Sequence, residues 1–356
     1  MMECPDGKTD IRSCLPNELE DLAVRLGVRA YRGRQVFQWI HKRHVDSMDE
    51  MDNIGTSFQN KLATVGYLTR LSELDRQVSA DRTTKYLFGL ADGEGIESVL
   101  MWYRYGASIC VSSQVGCQMG CSFCASTIGG LVRNLTAGEM AAQVSRIHRM
   151  DIPADQRVHS IVIMGSGEPL DNYEQVLRFL RIMNQEAGLG ISYRRMTIST
   201  CGLVPGILRL ADEGIPVNLS VSLHGPNDQV RTQIMPVNQR YPIAELMNAC
   251  RVFIQKTNRR ITFEYALIRG VNDQREHASE LGLLLKTMLS HVNLIPLNPV
   301  KERPWQKSDD VTIRDFASVL QRMGVETTIR RELGQDIDAA CGQLRQRQQR
   351  QQRSQD

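Results

Sequence analysis

Gly116-Cys117-Gln118-Met119-Gly120-Cys121-Ser122-Phe123-Cys124 gathers three thiols in the spacing C-x3-C-x2-C. Three thiolates this close can each hold one iron of a cubane cluster, leaving the fourth iron without a protein ligand and open to a small molecule. A structural zinc site would need a fourth ligand from a second loop, usually as a paired C-x2-C or Cys/His motif. No second pair occurs. The remaining cysteines, Cys4, Cys14, Cys110, Cys201, Cys250 and Cys341, bring the total to nine, and an odd number argues against a disulfide framework. Four cysteines crowded between 110 and 124 argue for metal or redox chemistry instead.

Around this loop the chain alternates between strand and helix. Apolar, β-rich runs stand at Ser108–Ser112, Ser160–Met164, Met196–Thr200, Pro216–Leu223, Ile261–Ile268 and Val292–Leu297. Amphipathic stretches such as Ala137–Met150, Glu174–Gln185, Ile243–Lys256 and Glu276–Leu289 lie between them. The intervals hold crossover helices, the shortest through Pro205–Asp212, so six parallel strands in an open or partial α/β barrel are expected. This core is predicted over residues 103–335. Residues 1–90 read differently. Helical patterns at Leu19–Ala23, Arg34–Ile40 and Ser57–Leu62 predict a small helical accessory domain, with connecting strands near Thr84–Phe88 and Ile96–Tyr103. Residues 336–356 form a C-terminal segment whose Gln/Arg-rich end, after Leu344, is expected to be disordered.

The 356 residues are 42% apolar and 23% charged, an ordinary globular balance. No apolar run approaches the roughly 20 residues of a membrane span, and Met1–Cys14 lacks a signal-peptide core, so a cytoplasmic protein without membrane contact is expected. A net charge of +3 says little about nucleic acid, but its distribution is uneven. Arg29, Arg32, Arg34, Lys42 and Arg43 load the helical domain. Lys256, Arg259 and Arg260 form a second group, and Arg345, Arg347, Arg350 and Arg353 a third. Such groups can sit on phosphates or simply face solvent.

The triplet resembles the signature of the radical S-adenosylmethionine (SAM) superfamily. Cys110-Val111-Ser112-Ser113-Gln114-Val115-Gly116, Arg133-Asn134-Leu135 and Ile337-Asp338-Ala339-Ala340-Cys341-Gly342-Gln343-Leu344 narrow the resemblance to the dual-specificity RNA methyltransferase family, in order from about residue 15 to 344. The resemblance implies a partial (βα)6 radical SAM barrel with one 4Fe–4S cluster on Cys117, Cys121 and Cys124. It implies SAM contacts at Gly167 and Glu168 of Gly165-Ser166-Gly167-Glu168-Pro169, at Ser199, at Ser222-Leu223-His224 and at Asn298. The family usually has Met where Ser166 stands, a departure expected to matter little. Taken singly, Ser and Asn commonly finish strands and a lone His is commonly structural. Their shared address at the ends of successive parallel strands, where α/β barrels place ligands, favours a site.

The resemblance further makes Cys341 the methyl carrier and Cys110 the resolving thiol of a transient Cys110–Cys341 disulfide, with Glu97 as proton acceptor. Read alone, these would be a buried small residue, a strand-core cysteine and a strand-surface carboxylate. Cys201, where relatives commonly carry Ser or Thr, is left without a role. The implied reaction consumes two SAM per methylation of adenosine C2 in 23S rRNA and in tRNA, through a covalent protein–RNA adduct, with a flavodoxin-type electron donor and a monomeric enzyme. A C8 methyltransferase of 23S rRNA shares the general motifs. A non-catalytic, metal-stabilised RNA-binding protein is the alternative from another class. The cationic helical domain is the expected RNA platform, since the target base must leave its stack to reach a buried site.

Overall fold

A computed structural model of the chain describes residues 7–334, 336–337 and 344–345. The chain opens with strand β1 (Thr9–Asp10), then helices α1 (Pro16–Arg25), α2 (Tyr31–His41) and α3 (Thr56–Val65). Strand β2 (Gly66–Tyr67) pairs with β1 in parallel and closes this unit. An antiparallel run follows: β3 (Ser72–Val78), β4 (Thr84–Gly89), β5 (Gly95–Tyr103) and β6 (Gly106–Cys110). A short ribbon, β7 (Gln114–Gly116) and β8 (Leu131–Asn134), flanks the cysteine loop. Helix α4 (Ala137–Asp151) leads to β9 (Val158–Ile163), and α5 (Tyr173–Asn184) to β10 (Met196–Thr200). Helix α6 (Val204–Asp212) leads to β11 (Asn218–Ser222). Helices α7 (Asp228–Ile234) and α8 (Ile243–Thr257) precede β12 (Ile261–Leu267). Helix α9 (Arg275–Leu285), β13 (Ser290–Pro296), α10 (Asp310–Arg322) and β14 (Thr327–Ile329) complete the order.

One sheet of ten strands carries the core, in the order β14-β13-β12-β11-β10-β9-β6-β5-β4-β3. From β6 to β14 every neighbouring pair is parallel. The six expected strands are therefore present, each followed by its crossover helix, and β14 adds a seventh parallel strand. The arrangement is the expected partial (βα)6 barrel with an N-terminal accessory unit. The strands β3–β5 continue the same sheet as an antiparallel meander joined to β6, so the connecting strands are bonded into the barrel. Parallel strands are covered on both faces and read as apolar runs for that reason. Ile161, Ile163, Ile198, Leu219, Val221, Phe263, Tyr265, Val292 and Leu294 are all buried.

Local chemistry sets the helix starts. Thr136 Oγ1 accepts from Glu139 N–H at 3.1 Å and Glu139 Oε2 accepts from Thr136 N–H at 2.8 Å, a reciprocal cap on α4. The helical unit docks on α4 and α5 through specific polar contacts. Ser13 Oγ accepts from Gly138 N–H at 2.8 Å, Arg178 Nε donates to Ser13 O at 2.7 Å, and Arg178 pairs with Glu18. Arg146 and Arg149 pair with Asp46 and Glu50.

Lys256 and Arg260 are exposed and pair with Asp212 and Glu326, as a solvated helix end would. One basic residue differs from expectation. Arg345 is not part of a solvated tail. It is 6% exposed and donates from Nη2 to Glu94 Oε2 at 2.9 Å. The helical-domain cations Arg29, Arg34, Lys42 and Arg43 are exposed, and Arg43 lies over the Trp39 ring at 4.1 Å.

Candidate active site

The cysteine loop hangs between β7 and β8 because two glycines let the chain turn. Gly116 has φ +77°, and a Cβ there would come within 2.0 Å of Gly130 O; Gly120 has φ +71°. Cys117 N–H donates to Gly130 O at 3.0 Å and Ser122 N–H to Ile234 O at 2.9 Å. Thr127 Oγ1 donates to the carbonyls of Cys121 and Cys124 at 3.1 and 3.0 Å. Trp305 Nε1 closes the loop from above on Ser122 O at 3.0 Å.

Cys117, Cys121 and Cys124 line one cavity of about 140 Å³. Burial pushes all three thiols up, Cys117 to about 12, and neighbouring cysteines push Cys117 and Cys121 further. For Cys124, main-chain and side-chain donors from Ser126 and Thr127 work the other way. Buried thiols that raise one another's pKa need a cation to exist as thiolates, and a metal supplies it. Among the described residues no three Cys, His, Asp or Glu side chains converge as one metal ion would require. A cubane cluster takes each thiolate at a separate iron, and the three thiols of this loop fit such a cluster.

The Gly165–Pro169 loop follows β9 and is stitched to the residues before the cysteines. Gly165 sits so close that a Cβ would reach Ser112 Oγ at 2.7 Å, and Gly167, at φ +111°, would reach Gln114 Cβ at 2.7 Å. Gln114 Oε1 accepts from Glu168 N–H at 2.8 Å, while its Nε2 donates to Asn134 and Asp171. The Glu168 carboxylate is buried and accepts from Cys201 N–H at 2.7 Å and Leu170 N–H at 3.0 Å. It therefore braces the end of β10 as well as lining the cluster cavity. Ser166 Oγ lies 3.1 Å from Ser126 Oγ, tying this loop to the turn after Cys124.

A larger cavity of about 410 Å³ opens beside the first. Cys124, Ser199, Ser222, His224 and Asn298 line it, and Cys110 lines it from β6. Ser199, Ser222 and His224 also line the smaller cavity. The leucine between Ser222 and His224 lines neither cavity: Leu223 is fully buried in the core, its main-chain N–H donating to Glu264 O at 3.0 Å. His224 is held at φ +53°. Its Nδ1 accepts from Ala266 N–H at 2.9 Å, which leaves Nε2 to carry the ring proton. Burial, then the nearby Arg231, lowers its pKa to about 3, so the ring is a neutral donor.

Cys110 is a buried free thiol pushed up to about 11 by burial, an effect opposed by Arg330 and Lys85. No disulfide joins the described cysteines. The Cys110–Cys341 bond expected from the resemblance is not part of this structure, and Cys341 lies outside the described residues. Glu97 is buried on β5 and pairs with Lys85 at 3.0 Å. It also accepts from Arg345 N–H at 2.8 Å. It does not line either cavity; Val99, two residues on, lines the larger one.

Three residues of this site escaped the sequence reading. Glu264 lines the larger cavity, buried, and accepts from Asn293 Nδ2 at 2.8 Å; burial raises its pKa and Arg330 opposes this. Its signal was alternation: Thr262, Glu264 and Ala266 share one face of β12. Arg231, fully buried, donates to Leu223 O at 3.1 Å, Asn238 Oδ1 at 2.8 Å and Cys201 O at 2.6 Å. Gln114 is the third. Neither spacing nor periodicity marks these two.

Comparison with known proteins points the same way. The Radical SAM superfamily pattern matches residues 111–281, and that of the Ribosomal RNA large subunit methyltransferase N-terminal domain matches residues 9–68. A probable dual-specificity RNA methyltransferase RlmN of a Thermoanaerobacter species is 51% identical over 330 residues, 92% of this chain and 95% of its own. That of Alkaliphilus oremlandii is 51% identical over 339 residues, 95% of this chain and 98% of its own. The crystal structure of a radical SAM methyltransferase from Sphaerobacter thermophilus superposes with a TM-score of 0.91 at 46% identity, covering 94% of this chain and 98% of that one.

Proposed function

Since the chain belongs to the RlmN family of dual-specificity radical SAM RNA methyltransferases, we propose that it methylates C2 of adenosine in 23S rRNA and in tRNA, the latter at the adenosine 3′ of the anticodon. The observation that carries this reading is the shared cavity: Cys110, Cys124 and the strand-end residues Ser199, Ser222, His224 and Asn298 face one space beside the cluster cysteines. Cys117, Cys121 and Cys124 hold the 4Fe–4S cluster. When bound, it supplies the electron that splits SAM into methionine and a 5′-deoxyadenosyl radical.

The chain's own residues do the rest. Gly167, Glu168, Ser199, Ser222, Leu223, His224 and Asn298 bind SAM, with His224 Nε2–H as a neutral donor and Leu223 acting through its main chain. Cys341 takes a methyl group from one SAM by displacement. It then gives a hydrogen atom of that methyl to the adenosyl radical from a second SAM, and the resulting carbon radical adds to C2. Electron-poor C2 cannot attack a methylsulfonium as a ring nitrogen can, which is why a carrier thiol is used. Glu97, paired with Lys85, accepts the C2 proton. The adduct gives up its unpaired electron, which the oxidised cluster would take back. Cys110, losing its thiol proton, then attacks the Cys341 sulfur, the S–CH2 bond breaks, the leaving carbon takes a proton to become the methyl group, and a disulfide forms that a thiol reductant reopens. The exposed cations of the helical domain contact the RNA backbone. An electron donor of flavodoxin type, a monomeric state and a cytoplasmic location complete the proposal. Within the described residues, no helix is long and apolar enough to cross a membrane.

Two variants test the division of labour. Cys341→Ala should still cleave SAM while transferring no methyl group. Cys110→Ala should accumulate protein crosslinked to RNA, seen as a shifted band on a denaturing gel. Normal turnover by Cys110→Ala without crosslink would reject the resolving role.

A further inference from the structure

Cys201 lies outside the C-x3-C-x2-C triplet, yet it lines the same cavity of about 140 Å³ as Cys117, Cys121 and Cys124. Four cysteines therefore line one small space. The Cys201 main chain is fixed on both sides. Its N–H donates to Glu168 Oε2 at 2.7 Å, and its carbonyl accepts from Arg231 Nη2 at 2.6 Å. Arg231 is itself tied to Leu223 O and Asn238 Oδ1, so the position cannot drift. Around it, Ile234, Met235 and Leu297 pack with Cys201 against Met119, Cys121 and Phe123, which belong to the cluster loop. The Glu168 carboxylate lines the same cavity.

We propose that, before SAM binds, Cys201 supplies a fourth thiolate to the iron that the triplet leaves open, and that SAM displaces it. In the self-ligated state the Cys201 S–H bond is broken, its proton leaves to solvent, and a sulfur lone pair forms the bond to iron. No electron is transferred. On SAM binding that bond breaks and the proton returns to the thiol. The inference rests on the reading of Cys117, Cys121 and Cys124 as cluster ligands. Its consequence is a resting cluster saturated by protein thiolates, which holds its fourth iron against oxidants until substrate arrives.

The test uses the full-length enzyme, reconstituted without oxygen, and its Cys201→Ser and Cys201→Ala variants. Each is treated with ferricyanide, with and without saturating SAM, and loss of the fourth iron is followed by the electron paramagnetic resonance signal of the three-iron cluster. Both variants should lose iron faster than wild type in the absence of SAM, and the difference should vanish when SAM is present. SAM should also bind the variants more tightly. A self-ligated fraction of one half weakens apparent affinity about twofold, and nine-tenths about tenfold. Equal iron loss in wild type and Cys201→Ser without SAM would overturn the proposal. So would a Cys201→Ser variant that behaves as wild type while Cys201→Ala does not, because that pattern assigns the thiol a bracing role only. Cys117→Ala in the Cys201→Ala background serves as a separate control: an intact cluster there, with neither residue able to ligate, would reject the triplet reading itself.

Discussion

Gly167→Ala isolates how the Gly165–Pro169 loop is held against the cysteine loop. Gly167 sits at φ +111°, where an L side chain is strained by about 1–3 kcal/mol. The added methyl would also stand 2.7 Å from Gln114 Cβ, 2.8 Å from Gln114 N and 2.8 Å from Ser113 Oγ. Gln114 cannot retreat, since its side chain is engaged by Glu168, Asn134 and Asp171 and its N–H by Ser166 O. Overpacking of this kind costs about 1–3 kcal/mol, so the total is about 2–6 kcal/mol. Gly93→Ala supplies the control: φ is +86° but nothing lies within 4 Å of the new Cβ, so strain alone remains, about 1–2 kcal/mol. Guanidinium titrations of both variants should place Gly167→Ala well below Gly93→Ala. Equilibrium dialysis should show weakened SAM binding for Gly167→Ala only. Equal midpoints and equal SAM affinity in the two variants would refute the close-approach argument.

Other perturbations separate bracing from charge and proton effects. Arg231→Met strands three buried acceptors, at about 1–3 kcal/mol each. It should destabilise by about 3 kcal/mol or more in thermal denaturation followed by circular dichroism. Arg260→Ala, which breaks an exposed pair with Glu326, should cost about 1 kcal/mol or less in the same assay. His44 is lowered from 6.5 to about 3, chiefly by burial, then by His148 and Arg12. Its unfolded form binds the proton more readily, so the stability it supports is complete above 6.5 and falls as pH drops toward 3. His44→Asn should flatten stability against pH by about 1.4 kcal/mol per unit below that point, as read from denaturant midpoints; an unchanged slope would contradict the assignment.

The parts of the fold that were legible share one physical feature. Strands covered on both faces are rich in apolar and β-branched residues, so Met196–Thr200 and Ile261–Leu267 stood out despite polar interruptions such as Ser199 and Glu264. Strand β3, Ser-Glu-Leu-Asp-Arg-Gln-Val, lies at the sheet edge with nearly every side chain exposed, and it carries no such pattern. Strand β14 has three residues, too few for any period. The cysteine triplet was legible because its ligands are adjacent in sequence. Glu97 was read as a surface carboxylate or a family base, and its buried partner Lys85 was invisible. Lys85 faces Val99 and Leu87 faces Glu97 in the β4–β5 register, so the pair meets only diagonally across a folded hairpin. Arg345 was misplaced for a related reason: Glu94 and Glu97, which bury it, lie far away in the chain.

Mass spectrometry of nucleosides tests the central claim most directly. RNA incubated without oxygen with the reconstituted enzyme, SAM and a reductant should yield 2-methyladenosine. An 8-methyladenosine product would contradict the C2 assignment while keeping the radical mechanism. No modified adenosine, with the cluster intact and SAM being cleaved, would contradict the proposed substrate altogether.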